Sequence, residues 1–133
     1  MLILLIAQLP VEPLGNVDCS KNPVVQVEAT HCAWRDYQSA DAQMTVQWKR
    51  TLTLAHERDA RFKESPSATR DKRLSYSAVL LKSQRAWLAF RDAQCTSEGY
   101  YGRGGTIEPM LVNMCLARVT RERTVQLRDL WRR

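Results

Sequence analysis

Four cysteines, two histidines and a scatter of carboxylates and arginines are the side chains of this 133-residue chain that could do chemistry. Cys19, Cys32, Cys95 and Cys115 form no C-x-x-C, which removes a zinc ribbon and a thioredoxin-type redox motif. An even number of isolated cysteines fits two structural disulfides in an oxidising compartment; four buried thiols in a reducing one is the other reading. His31 and His56 fall ~37 Å apart along what reads as one helix, so they cannot share an ion, and neither metal nor cofactor is expected. No G-x-S-x-G elbow, S-x-x-K or P-loop occurs. Glycoside chemistry requires two facing carboxylates in a cleft, and the candidates Asp92 and Glu98 are helix-end residues with no sign of a pocket. The chain reads as a non-enzyme.

Binding chemistry is better represented. Thr96 to Thr106, TSEGYYGRGGT, holds four of the five glycines and reads as a loop. Within it Ser97, Glu98, Tyr100, Tyr101 and Arg103 offer a carboxylate, two adjacent aromatic rings and a guanidinium on a flexible turn. The plainer reading is that the tyrosines pack over helix ends and the glycines only permit the turn. A second set, Asp41, Gln84, Arg91 and Arg123, interrupts three otherwise apolar stripes. These four are expected to form a buried polar network, a carboxylate with two guanidinium partners that sets helix register; the alternative is that both arginines snorkel outward.

The elements that must position these groups are helical. After Pro23 and as far as Glu64 no glycine or proline intervenes, and Trp34, Tyr37, Met44, Trp48, Leu52 and Ala55 recur at three- and four-residue steps. Such a helix, ~50 Å long, needs partners along its length. Ser65-Pro66-Ser67 breaks it, and a second helix is expected from about Thr69 to Gln94, with the stripe Leu74, Ser77, Leu81, Gln84, Leu88, Arg91 and Cys95. Thr106 is expected to cap a third helix, with Pro109 in its first turn and Val112, Leu116, Val119, Arg123, Leu127 and Leu130 facing inward. The expected fold is all-α: an antiparallel three-helix bundle with one long helix and two disulfides. Hairpin levels favour Cys19–Cys32 with Cys95–Cys115 among three connectivities, the other two staying open.

The second helix also carries a specific text. Leu81-x-x-Gln84-x-x-Trp87-Leu88-x-Phe90-Arg91-Asp92-Ala93-x-Cys95 resembles the LprI-like domain family, small bacterial exported proteins named for a lysozyme inhibitor. Tyr37-x-x-Ala40-Asp41-x-x-Met44, Gly104-Gly105-Thr106, and Cys115 followed by Thr120-x-x-Arg123-x-x-x-Leu127 match that family in order, so the resemblance spans roughly residues 19 to 130. It implies a helical, disulfide-linked domain, periplasmic or secreted, with lysozyme or another peptidoglycan hydrolase as partner. The chain departs from the family in a short leader and in lacking the lipid-attachment cysteine of some members.

Met1 to Ala7 is apolar but far short of the ~20 residues of a membrane span. Residues 1–15 therefore read as a truncated signal peptide or apolar tail, and 16–133 as the helical domain. The net charge of +6 favours acidic partners, but lysozymes of the chicken type are themselves basic, so binding one must rest on local complementarity. Arg103 could enter a cleft lined by catalytic carboxylates. Arg118, Arg121, Arg128, Arg132 and Arg133 cluster in the third helix. Nucleic acid is not expected for an exported protein. These arginines instead supply the alternative function, an envelope module binding anionic cell-wall or lipopolysaccharide groups without inhibiting an enzyme.

Overall fold

The computed structural model describes residues 17–132. The apolar start read as a leader or tail, and Arg133 of the basic cluster, lie outside the described residues. Three helices follow in order: α1 (Gln26–Lys63), α2 (Tyr76–Gly99) and α3 (Glu108–Asp129), with a short 3-10 turn at Tyr100–Gly102 between the last two. Among the described residues there is no strand. The fold is the expected helical bundle. α2 runs back along α1, and α3 returns parallel to α1: Gln26 meets Met110, Asp36 meets Arg121, and Thr51 meets Leu127.

α1 reaches 38 residues because nothing in its sequence stops it. Its first turn lacks a side-chain cap on Val25, and the Glu28 carboxylate accepts from the Val24 N–H instead. α2 begins at Tyr76, later than the sequence suggests, and Pro66 opens no helix. Two local devices explain the delay. Asp71 accepts from the backbone N–H and the guanidinium of Arg73, closing a turn that competes with helix. Ser75 then caps α2 by accepting from Ala78 N. At the far end α2 continues past Gln94 to Gly99, so the first four residues of the expected glycine loop are helix. Thr106 does not cap α3. Ile107 occupies that position without a side-chain bond, while Pro109 sits in the first turn as its fixed φ allows.

The buried faces keep Met44, Ala55, Gln84, Arg91, Cys95, Val119 and Leu127 of the expected stripes and differ at other positions. α1 buries Ala40, Met44, Thr51 and Ala55, leaving Trp34 exposed; α2 buries Leu80, Gln84, Arg91 and Cys95, leaving Leu81 and Leu88 outside. Small residues decide this. Ala40, Thr51 and Ala55 on α1, with Ala117 and Thr120 on α3, are at most 1% exposed and let two parallel helices approach closely. Apolar packing divides into two clusters. Met44, Ala55, Leu80 and Leu127 form one, Cys95, Cys115 and Val119 the other, and Trp87 packs against both. Beyond α3, Trp131 takes a left-handed φ of 67°, held by an edge contact with Tyr76 and by the Arg58 guanidinium 5.0 Å from its ring.

Candidate functional site

The turn joining α2 to α3 is built around close approach. Gly99 is buried, and a Cβ there would lie 2.4 Å from Val112 Cγ2, so only glycine lets α3 pass so near the end of α2. The Cys95–Cys115 disulfide, nearly solvent-free, ties the same two helices just below. Cys19 and Cys32 form the second bond, joining the segment before α1 to its second turn.

Above this base the chain is braced rather than loose. Arg103 N donates to Tyr100 O, Gly105 N to Gly102 O, and Gly104 N to the Glu108 carboxylate at 2.7 Å. Gly104 has φ +78°, the left-handed conformation glycine adopts without penalty. Hydrogen bonds thus brace the turn that the sequence reads as flexible. Ser97 and Glu98 lie in the last turn of α2, not in a loop. Glu98 accepts from Gln94 and from Arg118 at 2.7 Å, and these bonds hold its carboxyl below the usual range. Tyr101, by contrast, is 91% exposed, and the Arg103 guanidinium lies 4.4 Å from the Tyr100 ring. No carboxylate lies within ion-pair distance of Arg103 among the described residues. The apex thus presents Tyr101, one face of Tyr100 and an unpaired guanidinium.

The polar network divides into two parts. Arg91, itself buried, lies 3.6 Å from Asp41 and 2.9 Å from Asp92, but the Asp41 side chain is 44% exposed, so no buried carboxylate exists. Arg123 does not reach Asp41. Its Nε donates to Gln84 Oε1 at 3.0 Å and its Nη2 to Ser83 Oγ, Gln84 lying on the buried face of α2 where its stripe puts it. Burial pushes the Arg123 guanidinium down from its ordinary pKa without a facing carboxylate to oppose it. What unites the halves is Trp87, with the Arg91 and Arg123 guanidiniums 5.3 and 5.8 Å from its ring, and Tyr37 a further 5.6 Å from Arg91. Trp87, Tyr37 and Asp92 escaped the network assigned from sequence. The spacing of Trp87 four residues before Arg91 was the available signal. The seam holds helices together and has no evident reactive group.

The α3 arginines are compensated. Arg118 pairs with Glu98 and Glu122, Arg121 with Asp36 across to α1, and Arg128 and Arg132 with Asp129. Among the described residues no three metal-ligating side chains cluster, and no helix is long and apolar enough to cross a membrane.

Comparison with known proteins agrees with this architecture. Residues 19–127 match the family model described as Lysozyme inhibitor LprI. An uncharacterized protein of Rhizobium meliloti (strain 1021) is 37% identical over 113 residues, covering 85% of this chain and 78% of that protein. No solved structure matches.

Proposed function

Because the chain belongs to the LprI lysozyme-inhibitor family, we propose that it binds a peptidoglycan hydrolase of the lysozyme type and blocks it, in the periplasm or outside the cell. It performs no catalysis of its own. The observation that carries the reading is the apex after α2: a 91%-exposed tyrosine beside an arginine free of internal carboxylates, on a turn its own backbone bonds hold. Lysozyme-type clefts work through paired carboxylates, and a guanidinium inserted between them would satisfy both while excluding substrate. Tyr101 supplies an aromatic face of the kind that dominates binding interfaces, and a turn already braced loses little entropy on docking. Glu98 stands at the foot of the apex, its carboxylate accepting from Gln94 and Arg118. The described arginines of the α3 cluster, which would serve the alternative of an envelope module for anionic groups, each lie beside a carboxylate in exposed pairs, whereas Arg103 has none among the described residues.

The test is a cell-wall lysis assay with oxidised protein against chicken-type, goose-type and bacterial lysozymes. The wild type is expected to inhibit stoichiometrically in at least one class. A Tyr100→Ala, Tyr101→Ala double variant with unchanged far-UV circular dichroism is expected to lose inhibition. No inhibition at large excess in any class would sink the proposal, and full inhibition by the double variant would remove the apex from it.

A further inference from the structure

At the opposite end of α2, about 35 Å from the tyrosine turn, the structure holds an open cavity that inhibition does not use. It measures about 670 Å³, within the ~300–1,000 Å³ of small-molecule sites. Its walls come from three segments: the end of α1, the connection before α2, and the first turn of α2. Phe62, Leu74, Tyr76 and Val79 make the apolar part, and two of them are left uncovered, Leu74 at 61% and Val79 at 49% exposure.

The charges around it sort cleanly. Asp59 accepts from Tyr76 N, Ser77 N and Ser77 Oγ, so its oxygens are engaged. Asp71 is locked to Arg73, and those bonds lower its pKa to about 2, which keeps the pair intact at any physiological pH. Lys63 is the one charged lining residue with no carboxylate within ion-pair distance among the described residues. The same end of the bundle is basic: Glu57 to Arg73 holds six bases against four acids.

We propose that this cavity is a binding site for a small amphipathic anion, an apolar or aromatic body that lies along Phe62, Leu74, Tyr76 and Val79 and carries one carboxylate, sulfonate or phosphate onto Lys63. Three walls enclose a single body, which favours a free monomeric amphiphile over a flat membrane surface. The site is independent of the tyrosine turn.

The probe is 8-anilinonaphthalene-1-sulfonate, titrated by fluorescence into the oxidised full chain. A saturable one-to-one rise is expected. Val79→Asp is expected to weaken it at least about tenfold, because a carboxylate in the apolar wall must be desolvated and repels the sulfonate. Lys63→Gln is expected to weaken binding several-fold and Lys63→Arg to preserve it. Phe90→Asp, on an exposed position of α2 outside the cavity, is expected to change nothing. Absent or unsaturable binding overturns the proposal, as do equal losses in Phe90→Asp and Val79→Asp. So does a chain that sediments with anionic vesicles through Lys63 yet ignores the monomeric probe. Lysozyme inhibition is expected to survive Val79→Asp and Lys63→Gln, so each reading can fail without the other.

Discussion

Asp59 is the residue whose removal tests the hairpin most directly. It projects from α1 and closes the start of α2, accepting from Tyr76 N at 2.6 Å, Ser77 N at 3.1 Å and Ser77 Oγ at 2.6 Å. A helix cap is worth about 1 kcal/mol and a hydrogen bond to a charged group ~1.5–3 kcal/mol. The three bonds do not add fully, because Ser75 still caps Ala78 and water can reach the freed N–H groups. Asp59→Ala is therefore expected to cost about 2 kcal/mol, and Asp59→Asn, which keeps one acceptor oxygen, about half that. For a chain of this size 2 kcal/mol is a drop in Tm of about 6 °C. The sign with pH follows from the same contacts. Burial works against ionisation of Asp59, but the Ser77 hydroxyl, the Ser77 and Tyr76 N–H groups and His56 outweigh it, so its folded pKa lies below the ordinary value. Its stabilisation is thus complete above the unfolded pKa near ~3.9 and is lost as pH falls through the lower folded one. Urea unfolding followed by far-UV circular dichroism, repeated from pH 7 to pH 3, measures both effects. A variant within about 0.5 kcal/mol of wild type, or a difference undiminished at the lowest pH, would refute the capping argument.

Four further outcomes are expected. Replacing Cys95 and Cys115 together by serine should cost more than replacing Cys19 and Cys32; loop entropy is ~3 kcal/mol for either, but the first pair is core and would bury two hydroxyls. Thermal melts of the two double variants compare them directly. Gly99→Ala should cost ~1–3 kcal/mol through overpacking against Val112, since φ of −61° suits alanine, and Val112→Ala should recover part of the loss in a double-mutant cycle. Thr120→Val should stabilise by ~1 kcal/mol, because the Thr120 hydroxyl is buried without a hydrogen-bond partner among the described residues; a loss in urea unfolding would contradict that. Association with a basic lysozyme, measured by stopped flow, should accelerate as salt rises, since screening relieves repulsion from a chain of charge +6. Slower association at high salt would mean that an acidic surface makes first contact.

Much of this molecule was legible one segment at a time. The unbroken run after Pro23 dictates one long helix, Ser65-Pro66 ends it, and Pro109 marks where the third begins, because each is a local consequence of propensity and of what proline cannot do. The helix-two text pointed to the family for the same reason, being a contiguous string. What local reading weighs wrongly is the value of a small side chain. Ala40 and Thr51 contribute little apolar surface, so a stripe drawn through Trp34, Tyr37 and Trp48 looked stronger; their worth appears only when α3 lies against them. The way the helices lie against one another then decided which polar groups could meet, giving Arg123 to Gln84 and leaving Asp41 half in water. Asp59 acts on residues 17 and 18 positions further on, and Glu98 and Arg118 cancel across two helices. Sequence alone determined that three helices form, where the first ends, and the family. Tertiary structure alone decided which faces were buried and which charges remained free, because burial and pairing belong to surfaces in contact and not to the string that forms each one.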